Sequence, residues 1–240
     1  MIIYPAIDIK DGRCVRLLQG QEHEVTVYGD DPVDMALKWQ EQGAQIVHVV
    51  DLDGAFAGKP KNAAVLRRVV QALDVPVQFG GGIRTIEAIK ELIEMGVGEV
   101  VLGTVAVTEP VVFHRALEMF GDRIVVGLDG RAGNVAVAGW TRETGEDIIE
   151  TGKNLAELGV HRIIYTDISR DGMQTGPNIE STRALARAIK IPVTASGGVA
   201  RIEDIIALKA AEPDGIEGVI VGKALYEKSF TLADAMKAAE

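Results

Sequence analysis

The sequence predicts an α/β fold, a single (β/α)8 TIM barrel over residues 1–240, and three observations favour it. Eight short runs rich in Val and Ile alternate with eight stretches of helical periodicity. The strand-like runs are almost continuously apolar, as expected for parallel strands that are covered on both faces. No linker or change in composition divides the chain, and ~250 residues is an ordinary length for one such barrel.

Each predicted strand is followed by a predicted helix along the whole chain. The strands are predicted at residues 2–7, 46–51, 75–78, 99–102, 124–129, 162–166, 191–194 and 219–221. The helices are predicted at residues 33–42, 63–73, 86–95, 110–119, 147–158, 179–188, 202–210 and 231–239. Pro110 at a helix start and Gly96 after a helix end are typical boundary residues. An open doubly wound sheet shows the same alternation, but the count of eight favours a closed barrel.

The composition excludes several classes of protein. Hydrophobic residues make up 47% of the chain and charged residues 25%, which is too apolar for a disordered chain. The single cysteine, Cys14, cannot form an intramolecular disulfide, so a disulfide-stabilised secreted scaffold is excluded. A net charge of −10 and an aromatic content of 5% argue against a nucleic-acid partner.

No apolar run approaches the ~20 residues that span a bilayer, and the residues after Met1 lack the basic segment of a signal peptide. We therefore expect a soluble, cytoplasmic protein with no membrane partner. Because a net charge of −10 repels anions at long range, any phosphate site must be built locally.

An internal repeat divides the predicted barrel into two similar halves. Four landmarks recur in the same order about half a chain apart: Asp8 with Asp129, residues 50–62 with 166–178, Gly81-Gly82 with Gly197-Gly198, and Gly103-Thr104 with Gly222-Lys223. Such self-similarity predicts two (β/α)4 halves, approximately residues 1–120 and 121–240, within one domain.

Glycine-rich segments follow predicted strands at both sets of duplicated positions. Glycine lets backbone N–H groups approach an anion, and the loops after strands 7 and 8 form the usual phosphate site of this fold. The predicted phosphate-binding residues are Gly81, Gly82, Gly103 and Thr104 in the first half and Ser196, Gly197, Gly198, Gly222 and Lys223 in the second. The alternative is that these glycines only form tight turns. Two sites at one barrel mouth indicate an elongated small molecule with a phosphate at each end.

Asp8 and Asp129 each end an odd-numbered predicted strand, so they should face each other across the mouth. Two carboxylates across a cleft can divide the acid and base roles of a proton transfer. The alternative for either residue alone is a solvated loop aspartate. The sequence has no cluster of His, Cys and carboxylate residues at metal-ligand spacing, so we expect no metal site.

Other candidate residues carry weaker signals. Thr166 ends a predicted strand and could orient a carboxylate, although a β-branched strand residue is equally ordinary. Arg16 is expected in the loop after Asp8, where it would either reach an anion or face solvent. Trp140 is expected in the long loop after predicted strand 5, where it would either stack on a ligand ring or pack the loop down. His48 is interpreted as a packed core histidine.

Several motifs together resemble the half-barrel enzymes of histidine biosynthesis over essentially the whole chain. The opening string PAIDIKDGRCVRL at residues 5–17 carries the resemblance first. Further matches lie at residues 48–55, 80–84, 137–140, 166–172 and 196–199. Within that family, Ala6-Ile7-Asp8, Thr166-Asp167-Ile168 and Gly139-Trp140 resemble the isomerases rather than the sister cyclase.

The resemblance implies an aldose–ketose isomerase that performs an Amadori rearrangement on a bis-phosphorylated aminoaldose. It implies Asp129 as the general acid, Asp8 as the general base and Thr166 as their support. It also implies substrate contacts from Arg16, Gly20, Arg84, Trp140, Asp171 and Gly172. Neither a cofactor nor an obligatory protein partner is implied, and we expect a monomer.

Three alternatives stay open at this point. The chain could be the cyclase, which needs ammonia or a glutaminase partner, or an isomerase that also accepts phosphoribosylanthranilate. It could also be a protein that binds a phosphorylated metabolite without converting it.

Overall fold

The computed structural model describes residues 1–18, 20–21 and 24–240. In chain order its strands are β1 (Ile2–Lys10), β2 (Arg13–Leu17), β3 (Val25–Gly29), β4 (Val47–Asp51), β5 (Val77–Gly80), β6 (Glu99–Leu102), β7 (Ile124–Arg131), β8 (Asn134–Val137), β9 (Arg142–Asp147), β10 (Ile163–Asp167), β11 (Val193–Ser196) and β12 (Ile216–Val221). Eight of them pair in parallel in the order β1-β4-β5-β6-β7-β10-β11-β12, and β12 pairs again with β1. The predicted (β/α)8 barrel is therefore confirmed.

Helices cover the outside of the barrel. They are α1 (Pro32–Glu41), α2 (Leu52–Ala57), α3 (Ala63–Ala72), α4 (Ile86–Met95), α5 (Thr104–Thr108), α6 (Pro110–Phe120), α7 (Ile148–Glu157), α8 (Ile179–Ile189), α9 (Ile202–Ala210), α10 (Lys223–Tyr226) and α11 (Leu232–Ala238). The eight longest match the predicted helices to within one residue at each end. No helix in the described ranges has the length and apolar character needed to cross a bilayer.

Two β-hairpins rise from the barrel where the sequence analysis expected loops. Strands β2 and β3 continue antiparallel from β1, and β8 and β9 continue in the same way from β7. The turn between β1 and β2 has Asp11 and Gly12 at φ 50° and 74°, and the turn between β7 and β8 has Ala132 and Gly133 at 50° and 85°. Two consecutive positive φ angles define the turn that best fits a twisted hairpin. Residues 13–17 therefore form a strand, and the loop expectation for them was wrong.

Two barrel strands begin two residues later than predicted, at Val77 and Val193. Each follows a proline, Pro76 or Pro192, which has no N–H to donate to a neighbouring strand. The proline carbonyls still accept hydrogen bonds, from Val47 N and Ile163 N. The two strands are thereby shifted toward the same end of the barrel, where they carry glycine-rich segments.

The core has two layers because the barrel strands are covered on both faces. The larger layer lies between strands and helices, where for example Leu66 of α3 and Phe113 of α6 are fully buried. Burying one such side chain contributes roughly 2 kcal/mol. A smaller cluster fills the inside of the barrel, with Tyr4, Ala6, Ile46, Val125, Ile164 and Ile220. This inner cluster closes the barrel from below and leaves a cavity above it.

Candidate active site

A cavity of about 260 Å³ opens at the carboxyl ends of the barrel strands. Every residue proposed from the sequence for the site lines it: Asp8, Arg16, Gly20, Gly81, Gly82, Arg84, Gly103, Thr104, Asp129, Trp140, Thr166, Asp171, Gly172, Ser196, Gly197, Gly198, Gly222 and Lys223. Residues from all parts of the chain meet there because parallel strands of a barrel end at one face. Among the described residues, no three His, Cys, Asp or Glu side chains are grouped to hold a metal ion.

Asp8 lies on β1 and pairs with an arginine from the adjacent hairpin strand. Its side chain is nearly buried, and Arg16 Nη1 donates a 2.7 Å hydrogen bond to Asp8 Oδ2. Arg16 Nη2 also donates to the Ala6 carbonyl at 3.1 Å. Burial raises the pKa of the Asp8 carboxyl, and the Arg16 cation opposes that rise. Asp8 is therefore a buried carboxyl with a cation held at its side.

Arg16 takes a different position from the one expected. It belongs to β2 rather than to a loop, and its guanidinium packs against Gly222 after β12. It also lies 5.5 Å from the centre of the Tyr226 ring, within the range of a cation–π contact. Arg16 thus connects the Asp8 carboxyl to the segment that carries Lys223.

Asp129 lies on β7, and no such ion pair to it is found among the residues that the structure describes. Thr166 of β10 stands beside it in register, and Ser196 of β11 stands beside Thr166. Burial raises the pKa of Asp129, while hydrogen bonds from Trp140 and Thr166 oppose the rise. One aspartate is thus paired with a cation and the other with neutral donors, a difference that suits separate acid and base roles.

Trp140 sits in the turn between β8 and β9, not in an open loop. Ala138, Gly139 and Trp140 have φ angles of 57°, 64° and 67°. This conformation is costly for residues with side chains and is concentrated at functional sites. The Ala138 N–H donates to Thr104 Oγ1 at 2.9 Å. The hydroxyl of Thr104 is therefore engaged in ordering this turn, and the Trp140 ring packs against Gly20 from the other hairpin.

The two glycine pairs, Gly81-Gly82 and Gly197-Gly198, pack directly on the backbone of the segments that follow β4 and β10. Gly82 and Gly198 have φ angles of 74° and 90°. A Cβ on Gly82 would clash with the Gly54 carbonyl, and a Cβ on Gly198 would lie 2.5 Å from the Gly176 carbonyl. Only glycine permits this approach. Tight packing thus accounts for these glycines structurally, and phosphate binding by their N–H groups stays a prediction.

Two aspartate–asparagine clamps hold the loops beneath the glycine pairs. Asp51 is fully buried and accepts hydrogen bonds from the N–H groups of Gly54, Lys61 and Asn62 at 2.6–2.8 Å, and from Asn62 Nδ2 at 2.7 Å. The second clamp, on Asp167, repeats this arrangement with the Ser169 N–H and hydroxyl and with Asn178 Nδ2, at 2.6–2.9 Å. The repeated Asp…Asn spacing in the sequence was the signal for these clamps, and the sequence analysis gave them no role.

Further charged groups surround the cavity. Lys223 Nζ donates to the Gly172 carbonyl at 3.0 Å, and Arg84 is exposed with its guanidinium against Gly58. Burial raises the pKa of Asp171 to about 6, with Arg16 opposing the rise. The site therefore combines three carboxyl groups with three cations, although the whole chain carries a net charge of −10.

His48 is buried, as expected for a core histidine, but it also lines the cavity. Its Nδ1 atom lies 2.6 Å from Gln78 Oε1. Burial lowers the pKa of His48 to about 4, so the ring is neutral at physiological pH. Its place at the cavity was not predicted from the sequence, because it depends on the alignment of β4 with its neighbours.

Comparison with known proteins matches the whole chain to one family. The model of the family described as histidine biosynthesis protein matches residues 2–231. A protein of Geobacter sulfurreducens is 52% identical over 236 residues, and the match covers 98% of this chain and 97% of that protein. A protein of Chromobacterium violaceum is 49% identical over 242 residues, and the match covers 100% of this chain and 98% of that protein. Both are named 1-(5-phosphoribosyl)-5-((5-phosphoribosylamino)methylideneamino) imidazole-4-carboxamide isomerase. With a barrel, a paired set of strand-end aspartates and this likeness over its full length, the chain belongs to the histidine biosynthesis protein family.

Proposed function

We propose that this chain is the aldose–ketose isomerase of L-histidine biosynthesis that acts on N'-(5'-phosphoribosyl)formimino-5-aminoimidazole-4-carboxamide ribotide. The reaction is an Amadori rearrangement of the aminoaldose to its phosphoribulosyl aminoketose. The observation that carries the proposal is the placement of Asp8 and Asp129 at one cavity, where Asp8 is buried, Asp129 is partly buried and each is in a different electrostatic environment. The names of the relatives support the same activity.

The first step is ring opening with Asp129 as general acid. Its raised pKa favours the protonated carboxyl, which donates its proton to the ring oxygen of the ribose. The bond between C1 and that oxygen breaks, and the nitrogen lone pair forms a C1=N Schiff base. Thr166, in register with Asp129, orients the carboxyl for this transfer.

The second step is proton removal with Asp8 as general base. Arg16 beside Asp8 favours the carboxylate form, which removes the proton from C2. The electrons move toward the nitrogen and give an enolamine. Protonation at C1 and loss of the hydroxyl proton at C2 then produce the ketose, so acid–base groups suffice without a metal or an organic cofactor.

The two ends of the substrate are assigned to the two glycine-rich sets. One phosphate lies at Gly81, Gly82, Gly103 and Thr104 beside Arg84, and the other lies at Ser196, Gly197, Gly198 and Gly222 beside Lys223. Trp140 and Asp171 position the part between them. We expect a cytoplasmic monomer. An obligatory partner is not needed to complete the proposed site, since the aspartates and both glycine sets come from one chain.

The test is an assay of the purified protein with this ribotide and, in parallel, with the cyclase substrate plus ammonia. Conversion of the aminoaldose to the aminoketose is expected. Product formed only by ring closure with ammonia would favour the cyclase, and binding without turnover would favour a metabolite-binding protein. An assay with phosphoribosylanthranilate measures any second activity.

The catalytic assignment is tested by Asp8→Asn and Asp129→Asn. Each amide keeps the shape of the carboxyl but cannot transfer the proton, so turnover should fall about 100- to 10,000-fold. Circular dichroism should show the fold retained in both. Near-normal turnover in either variant would remove that residue from the mechanism.

A further inference from the structure

Among the described residues, apolar side chains and His48 line the floor of the cavity. It is formed by inward-facing residues of the barrel strands, among them Ala6, Val101, Ile164 and Ile220. Gly80 and Gly127 contribute no side chain. His48 provides a hydrogen-bonding side chain at this level, in register with Ala6 and therefore below Asp8. Whatever group of the substrate reaches the floor at this point meets an imidazole.

A chain of side-chain hydrogen bonds determines which nitrogen of His48 carries the proton. Arg162 Nη1 donates to Glu99 Oε1 at 2.5 Å, and Gln78 Nε2 donates to Glu99 Oε2 at 2.7 Å. Because an ionised carboxylate only accepts, the Gln78 amide must direct its NH2 group to Glu99 and its oxygen to His48. His48 Nδ1, 2.6 Å from that oxygen, is therefore the protonated nitrogen.

The same chain leaves His48 Nε2 with a free lone pair. Arg162 is itself held by a second ion pair with Glu217, so the chain is anchored at its far end. In the part of the chain that the structure describes, the hydrogen bonds of His48 include a partner for Nδ1 and none for Nε2. The ring is neutral because burial lowers its pKa to about 4. Nε2 is thus a pure acceptor at an otherwise apolar floor.

We propose that His48 is a specificity-determining residue whose Nε2 accepts a hydrogen bond from a hydroxyl of the sugar on which Asp8 acts. The inference rests on the proposed function. The hydroxyl on C3 is the one assigned, because the hydroxyl on C2 loses its proton and becomes the product carbonyl, whereas the C3 hydroxyl, on the carbon next to the one that Asp8 deprotonates, stays a donor throughout the reaction. A buried acceptor that pairs with a hydroxyl of the correct sugar discriminates against a sugar that lacks this hydroxyl, since the acceptor then stays unpaired.

The first test compares the ribotide with an analogue that lacks the C3 hydroxyl on the reacting sugar. Wild-type protein should have a kcat/KM about 10- to 100-fold lower for the analogue. In His48→Leu, kcat/KM for the ribotide should fall by a similar factor, and the two substrates should become equal to within about threefold. His114→Leu, the same exchange on the exposed face of α6, should leave the wild-type discrimination unchanged.

Two results would overturn the inference. One is a wild-type protein that does not discriminate between the substrates, and the other is a His48→Leu variant that keeps the discrimination. A wild-type protein that does not convert the ribotide at all would instead contradict the proposed function, so the two failures are distinguishable.

The second test needs no substitution and covers the case in which His48→Leu does not fold. The two-bond ¹H–¹⁵N spectrum of wild-type protein should show His48 as the Nδ1–H tautomer, with Nε2 unprotonated. Adding the aminoketose product should shift the Nε2 resonance of His48, and it should leave that of His114 unchanged. A protonated Nε2, or an Nε2 resonance that does not respond to the product, would overturn the inference.

Discussion

At the scale of single residues, the site shows how neighbours make two identical side chains different. Asp8 and Asp129 both end a barrel strand, and burial raises the pKa of both. The opposing influence is a guanidinium at Asp8, whereas it is an indole and a hydroxyl at Asp129. The sequence predicted both aspartates, but Arg16 was expected in a loop, where it would reach an anion or face solvent, and its pairing with Asp8 was not predicted. Which side chain meets which carboxyl depends on the register of the two hairpins.

Replacing Arg16 should change the pH dependence of the reaction. In Arg16→Met the burial of Asp8 is no longer opposed by a cation, so the pKa of Asp8 should rise further. Because the proposed base must be ionised, the acidic limb of the kcat/KM profile should move to higher pH. Arg16→Lys keeps a positive charge and should shift the limb less. An acidic limb that stays in place in Arg16→Met would contradict the pairing.

Asp171 should reduce stability at neutral pH. Burial raises its pKa to about 6, above the ordinary range of an aspartate, so the folded state binds this proton more tightly than the unfolded chain does. The contribution of Asp171 to the free energy of unfolding is therefore most favourable at low pH and is lost as the pH rises through about 6. Asp171→Asn removes the penalty and should raise the free energy of unfolding by about 1–3 kcal/mol above that pH.

The measurement for Asp171 is denaturant unfolding of wild type and variant between pH 4 and pH 8. The stability difference should grow with pH and then level off. Asp122→Asn, at an exposed position before β7, is the matched control and should show no such trend. A constant difference across the range would contradict the assignment.

At the scale of elements, the long helices were predicted from the sequence and the hairpins were not. Each long helix combines an apolar stripe with local boundary residues, such as Asp31 and Pro32 at the start of α1, and both signals lie within the helix itself. The Asp11-Gly12 pair is a strong local hairpin signal that was overlooked. The clamps are local, and the Asp…Asn spacing in the sequence was a signal for them. The hydrogen-bond chain at His48 joins residues from separate strands, and such contacts require the topology to be known first.

The clamps should behave as matched structural elements. Asn62→Ala and Asn178→Ala each remove one side-chain donor to a clamp aspartate, Asp51 or Asp167. Leaving a buried carboxylate short of a donor should lower the free energy of unfolding by about 1–3 kcal/mol in each case. Asn154→Ala, on an exposed part of α7, should change stability little. Chemical denaturation of the three variants measures these free energies of unfolding. If Asn62→Ala and Asn178→Ala changed the free energy of unfolding as little as Asn154→Ala does, the clamps would not stabilise the loops.

At the scale of the whole molecule, charge is organised locally rather than globally. A net charge of −10 disfavours anionic ligands at long range, yet Arg84 and Lys223 both line the cavity at the carboxyl ends of the strands. In each half of the chain a hairpin is followed by a clamp, and the division near residue 120 stays a prediction. A barrel with two such sides can hold a ligand at both ends.

This arrangement predicts bivalent binding of anions. A ligand with two linked phosphates should bind about 100-fold or more tightly than inorganic phosphate, because the second contact is intramolecular once the first has formed. Titration calorimetry should give two phosphate ions per chain in wild type, and one in either Arg84→Ala or Lys223→Ala. In both variants the bis-phosphorylated ligand should bind only slightly more tightly than inorganic phosphate, because only one of its two phosphates still has a site. If wild type bound only one phosphate ion, and one variant abolished that binding while the other had no effect, the cavity would hold a single anion site, and the assignment of one phosphate to each half would be wrong.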